Sequence, residues 1–147
     1  MDDISTIDIL LVEDNPQDVE LTMRTLKKHH VANRIFVVTD GEEALDFLYC
    51  RNQYEKRCNH LPKVIFLDIK LPKLNGLEVL KVIKSDDHMR HIPVVMLTSS
   101  VEDPDIKAAY DLGANSYVVK PVDFGNFSET INSLGMYWLV VNQPPKL

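Results

Sequence analysis

Glu13, Asp14, Asp68, Thr98 and Lys120 lie far apart along the chain, yet each stands where an apolar run stops. Brought to one place, three carboxylates, a hydroxyl and an amine could bind a hard divalent cation and offer one carboxylate oxygen as a nucleophile. The amine and hydroxyl could then hold the transferred phosphoryl oxygens. Singly, each residue has an ordinary explanation: acids favour helix N-termini, threonine is common in strands, and one lysine is usually a solvated charge. Together they need a counterion, because clustered carboxylates repel one another unless a cation neutralises them. Oxygen donors without His or Cys favour Mg²⁺ with retained waters over a many-oxygen calcium cage, with Mn²⁺ as a substitute. Glu13, Asp14 and Asp68 sum to minus three, and Mg²⁺ plus Lys120 restores neutrality before any substrate arrives. Phosphoryl transfer depends on in-line geometry and spread charge stabilisation, so the absence of a proton-relay triad is no objection.

The elements that would position these groups can be read from the apolar pattern. Ile7 to Val12 is a β-branched run ended by Glu13-Asp14-Asn15-Pro16. Asn15 can cap the helix beyond it, Pro16 suits its first turn, and Val19, Met23 and Leu26 recur at helical spacing toward His29-His30. Arg34 to Val38 is a second strand, and Ala44, Leu45 and Leu48 mark a second helix. Val64-Ile65-Phe66-Leu67 is a third strand ending on Asp68. Leu77, Leu80 and Ile83 mark a third helix after Pro72 and Gly76. Pro93 to Leu97 is a fourth strand ending at Thr98, and Pro104 to Leu112 a helix closed by Gly113. Ser116 to Val119 is a fifth strand ending at Lys120-Pro121, and the last helix runs from about Asp123 beyond Trp138. Five strands, mostly continuous apolar runs, alternating with five helices predict a doubly wound α/β fold with a parallel sheet covered on both faces. Ligands of such sheets gather outside the strands' carboxyl ends, where the five residues are expected to meet.

The chain has 147 residues, 45% hydrophobic and 26% charged, with a formal net charge of −6. That length fits one domain over residues 1–147, with a core over about 5–139, a short tail over 140–147 and no output domain. The acidic balance excludes general attraction to a nucleic acid backbone. The start lacks the basic flank and apolar run of a signal peptide, and no stretch is apolar enough to span a membrane, so a cytoplasmic protein is expected. Cys50, Cys58 and His60 share a polar insertion, but one well-separated Cys pair and one His do not make a structural zinc set. Arg51, Lys56 and Arg57 in the same insertion read as a solvated loop rather than a patch that steers an acidic partner.

Leu11-Val12-Glu13-Asp14-Asn15, Phe66 to Pro72, Asn75-Gly76, Leu97-Thr98-Ser99-Ser100 and Tyr117 to Pro121 resemble, in order and in strand context, the motif set of response regulator receivers. The resemblance covers nearly the whole chain. It implies the flavodoxin-like receiver fold with strand order 2-1-3-4-5, and a phosphoacceptor in a two-component phosphorelay rather than a turnover enzyme. By the same resemblance Asp68 takes the phosphoryl group from a sensor histidine kinase. Glu13, Asp14, Asp68 and the Lys70 backbone carbonyl hold Mg²⁺, Glu13 acting through water. Lys120 pairs with the phosphoryl oxygens, Thr98 moves to bond one of them, and Tyr117 turns from outside to inside. Lys70 and Ser100 tune decay, the Lys120-Pro121 peptide is cis, and the kinase meets the first helix near Val19 and the loop at Pro121 and Val122.

Phe127, Ile131, Leu134, Trp138 and Val141 lie along one helix face and are expected to pack on the core. Tyr137, Leu139 and Val140 add apolar surface around the other side, more than one docking face uses. This ending and the long insertion resemble regulators paired with bacterial and cyanobacterial phytochromes. That resemblance implies a homodimer through the fourth helix, fifth strand and fifth helix, with Tyr137, Trp138, Leu139 and Val140 at the partner surface. Three rivals remain open. A haloacid-dehalogenase-like phosphatase would want a second Asp where Lys70 stands. A receiver-fold module could bind partners without phosphorylation. A flavodoxin-type carrier would want a Gly-rich loop after the first strand.

Overall fold

The computed structural model describes residues 7–28, 34–57, 60–120 and 124–145. Strands β1 (Ile9–Val12), β2 (Ile35–Val38), β3 (Val64–Leu67), β4 (Val94–Thr98) and β5 (Ser116–Val119) form one parallel sheet in the order β2-β1-β3-β4-β5. Helices α1 (Pro16–Lys28), α2 (Gly41–Leu48), α3 (Gly76–Ser85), α4 (Asp103–Asp111) and α5 (Phe124–Met136) alternate with them along the chain. The expected doubly wound sandwich and strand order are both present. β1 is shorter than the apolar pattern suggests, and Ile7, just ahead of it, is nonetheless buried.

Alternate residues of the central strands serve opposite layers, as the two-residue period of a strand requires. Leu10, Val12, Ile65, Leu67, Val94 and Met96 join the core under α2 and α3 with Phe47, Leu80 and Ile83. Ile9, Leu11, Val64, Phe66, Val95 and Leu97 join the core under α1 and α5 with Leu26, Phe127 and Ile131. Burial on both faces explains why these strands read as unbroken apolar runs.

Two glycines clip the β3–α3 loop around Asp68. Asn75 caps α3 through its side chain, which accepts the Glu78 amide, while Glu78 accepts the Asn75 amide. Gly76 then passes so close that a Cβ would lie 1.9 Å from the Asp68 carbonyl oxygen. From the other side Gly41 abuts Leu74, where a Cβ would lie 2.1 Å from the backbone oxygen.

The insertion after α2 folds back as a 3-10 turn at Asn52–Tyr54. Phe36, Phe47 and Tyr54 make an aromatic cluster, and the Arg57 guanidinium lies 4.0 Å from the Phe47 ring centroid. Arg57 is 6% exposed and donates to the Phe47 and His60 carbonyls. Arg51 pairs with Asp46. The insertion's arginines therefore hold it to the domain; Cys58 lies outside the described residues.

The last helix departs from the sequence pattern. After Met136 it widens into a π-helical turn, Tyr137–Val141, whose extra residue per turn rotates the side chains beyond it. Leu134, Trp138 and Leu139 pack against the α1/α5 core, whereas Val141, expected there, is 66% exposed. Among the described residues no helix is long and apolar enough to cross a membrane.

Gly76→Ala is expected to lower unfolding free energy in urea by about 3 kcal/mol, since rigid backbone must move to admit the methyl group. Gly113→Ala, strained by a φ of 104° but facing only the flexible Lys84 side chain, should cost about 1 kcal/mol. Equal costs would contradict this account of the loop.

Candidate functional site

Strand register brings the site together. β1 lies between β2 and β3 with Val12 opposite Leu67, so Glu13 and Asp68 leave neighbouring strands at the same level. The Asp68 amide donates to the Val12 carbonyl, and the Lys120 amide to the Thr98 carbonyl, continuing the ladders one residue beyond the strands. At this edge the winding reverses between β1 and β3, leaving a cavity of about 690 Å³. Glu13, Asp14, Asp68, Lys70, Ser99 and Lys120 line it, together with the first turn of α1.

Glu13 is 2% and Asp68 7% exposed, while Asp14 and Lys70 face solvent at the rim. One Asp68 oxygen, Oδ1, accepts the Ile69 amide at 2.7 Å. The other, Oδ2, accepts from Lys120 Nζ at 3.0 Å. Lys120 also donates to Glu13 Oε1 and, at 2.9 Å, to Asp18 Oδ2. Glu13 Oε2 accepts the Asn15 amide at 3.2 Å, and Asn15 Oδ1 caps α1 by accepting the Gln17 amide at 2.9 Å.

One ammonium thus serves three carboxylates, and both Glu13 and Lys120 titrate above their ordinary values. Burial pushes Glu13 up to about 7, against the pull of Lys120 and with help from the Asp68 charge. Burial works against the Lys120 ammonium, yet its bonds to Glu13 and Asp18 and the charges of Asp68 and Glu13 outweigh that and raise it. Two opposite groups shifted in the same direction mean a pocket that favours added positive charge. Glu13, Asp14 and Asp68 can each present an oxygen within 4.8 Å of the others. An all-oxygen donor set in such a field suits a hard divalent cation.

The remaining expected residues take up positions around this cluster. Thr98 ends β4 fully buried, its hydroxyl accepting the Ser100 amide at 3.3 Å. Tyr117 on β5 is half-buried, and its hydroxyl donates to the Ser100 carbonyl at 2.9 Å, so the ring already lies inward. Ser100 in turn donates to Asp105 of α4 at 2.6 Å. Pro121 and Val122 lie outside the described residues, and with them the Lys120-Pro121 peptide and the expected loop contact. Val19 is half-buried on α1. Asp18 is a site residue that sequence reasoning misses. Its signal in the sequence is an acid one helical turn after Asp14, readable only once α1 is known to start at Pro16.

The sequence and this geometry have relatives among known proteins. The response regulator receiver domain family matches residues 9–132. The response regulator Rcp1 of Synechocystis is 35% identical over 131 residues, covering 89% of this chain and 88% of that one. The probable methanogenesis regulatory protein FilR2 of Methanothrix harundinacea is 41% identical over 137 residues, covering 93% and 86%. Among solved structures, the phosphorylated cyanobacterial phytochrome response regulator RcpA superposes with a TM-score of 0.89 at 35% identity, covering 96% of this chain and 99% of that one. The Mn²⁺-bound form of Rcp1 gives 0.88 at 34%, covering 95% and 99%. The bacteriophytochrome response regulator AtBRR gives 0.74 at 51%, covering 94% and 99%.

A pH experiment tests the buried state of Glu13. Glu13 is raised from 4.5 to about 7, so the fold favours its protonated form. That contribution to stability is full below the ordinary value and is lost as pH rises through about 7. Chelator-treated protein is expected to lose unfolding free energy across that window, and Mg²⁺ to restore it most at the alkaline end. Metal-free stability that is flat across the window would refute the charge account.

Proposed function

This chain belongs to the response regulator receiver family, and on that premise we propose that it accepts one phosphoryl group on Asp68 and changes its protein contacts in response. The observation that carries this reading is the Lys120 ammonium 3.0 Å from Asp68 Oδ2 in an acid-lined cavity. Asp68 has one oxygen fixed by the Ile69 amide and the other held by an amine that can follow a phosphoryl oxygen, and it directly follows the central strand β3 at the cavity. Glu13, Asp14, Asp68 and the Lys70 backbone carbonyl are the groups that would hold Mg²⁺. The ion would neutralise the carboxylates and polarise the entering phosphoryl group. The Mn²⁺-bound Rcp1 supports a divalent ion at this edge.

Once Asp68 carries an acyl phosphate, the pocket gains negative charge and acceptor oxygens. Lys120 turns to those oxygens and the Thr98 hydroxyl leaves the Ser100 amide to bond another. That movement pulls on a loop tied to α4 through Ser100–Asp105 and to β5 through Tyr117. The chain acts on its own phosphoryl group only, and its output is a change of contacts.

The donor is a sensor histidine kinase. Phytochrome-type pairing is supported by likeness to RcpA and to the bacteriophytochrome regulator AtBRR. The output surface includes a homodimer contact through α4, β5 and α5. Tyr110 on α4 and Val119 on β5 are exposed, as are Met136, Tyr137 at 50% and Val140 at 63%. Trp138 and Leu139 beside them are half-buried and pack against the core.

With acetyl phosphate and Mg²⁺, intact mass should show one phosphoryl group on wild type and none on Asp68→Asn. Lys120→Ala should still be labelled, yet lose the phosphorylation-dependent change in circular dichroism or partner binding. Labelling of Asp68→Asn would overturn the assignment. Light scattering should show dimers that Tyr137→Asp with Val140→Asp converts to monomers; a monomeric wild type at high concentration would refute the dimer surface.

A further inference from the structure

Lys120 has three donor hydrogens and three carboxylate partners, so no donor is spare for a phosphoryl oxygen. Two partners, Glu13 and Asp68, belong to the acid cluster that can hold a cation. Asp18 does not. Its side chain, 30% exposed, stands over the amine at 2.9 Å from the first turn of α1, on the cavity wall. When a cation claims Glu13 and Asp68, Asp18 is the partner that keeps its hold on Lys120. It also puts a fourth carboxylate, beside Glu13, Asp14 and Asp68, on the wall of a cavity whose basic residues are Lys120 and the exposed Lys70.

We propose that Asp18 is a positioning and specificity residue that holds Lys120 back from the phosphoryl oxygens and disfavours strongly anionic small phosphodonors. The proposal rests on Asp68 as the phosphoacceptor. In the step concerned an Asp68 oxygen forms the bond to phosphorus, the bond from phosphorus to acetate oxygen breaks, and acetate leaves with the electron pair. Before that bond forms, the phosphoryl oxygens must compete with the Asp18 carboxylate for Lys120 and approach past its negative charge on the cavity wall. A donor brought by a docked protein has binding energy elsewhere to offset this; a free acyl phosphate has none. The consequence is insulation of the switch from free metabolic acyl phosphates.

A purely structural role exists for comparison: an acid in the first turn of a helix interacts favourably with the helix dipole. Loss of that role lowers stability and leaves donor preference unchanged. Donor preference is therefore the readout. Phosphorylation rates of the intact chain are measured by mass with saturating Mg²⁺, using acetyl phosphate as the dianionic donor and phosphoramidate as the less charged one. Wild type is compared with Asp18→Asn, Asp18→Ala and, as a control, Glu20→Gln, which removes an exposed α1 acid paired with Arg24.

Both Asp18 variants should gain roughly 3–10-fold with acetyl phosphate, as expected for removing one nearby unit charge, and less with phosphoramidate. The gain should shrink as ionic strength rises, and Glu20→Gln should match wild type. Acetyl phosphate rates that are unchanged or slower in both folded variants would overturn the proposal. So would equal gains with both donors, or an equal gain in Glu20→Gln. Absence of labelling by either donor in wild type and in both Asp18 variants would instead overturn Asp68 as the phosphoacceptor, so the two failures are distinguishable.

Discussion

The structure turns on one ammonium shared among three carboxylates at the carboxyl edge of a parallel sheet. Lys120 reaches Glu13, Asp18 and Asp68 because β5 delivers it one residue beyond the ladder with β4, while β1 and β3 deliver the two buried acids at a matching level. Taking charges out of water is costly, and a buried ion pair stands only where geometry and further hydrogen bonds compensate. Here the amides of Asn15 and Ile69 supply part of that compensation. Burial makes Glu13 hold its proton more tightly than usual, and the carboxylates around Lys120 do the same for the ammonium against its own burial. Such a pocket suits a cation, and with a cation bound it can hold a phosphoryl group.

The same edge connects chemistry to surface. Thr98, Ser100, Asp105 and Tyr117 form a chain of hydrogen bonds from the end of β4 to α4 and β5. The β3–α3 loop beneath Asp68 is fixed by Gly41, Gly76 and the Asn75–Glu78 cap, whereas the loop carrying Thr98 and Ser100 is held through side-chain hydroxyls that can exchange partners. In the proposed switch the acceptor side stays rigid and the β4–α4 side moves, toward the face where Tyr110, Val119 and Tyr137 are exposed.

Much of this was legible in the sequence, for a physical reason. Strands buried on both faces are unbroken apolar runs, so Glu13, Asp68, Thr98 and Lys120 announce themselves as the polar residues that end them. Asp18 does not, because a first-turn acid has a sufficient local explanation and only the third dimension brings it to Lys120. The π-helical turn at Tyr137–Val141 was hidden for a similar reason: a 3.6-residue period fits Trp138 and Val141 equally, and one extra residue sends Val141 outward while Leu139 turns in. Arg57 looks like loop charge in the sequence, yet its guanidinium stacks on Phe47 and fills three hydrogen bonds.

The central claim is that Glu13, Asp14 and Asp68 surrender part of their negative charge to a single divalent ion. Anomalous diffraction from crystals soaked in Mn²⁺ measures this directly. The account predicts one strong peak within bonding distance of Asp14 and Asp68, with Lys120 drawn away from Glu13. Mn²⁺ absent from this cavity, with Lys120 still bonded to all three carboxylates, would contradict it.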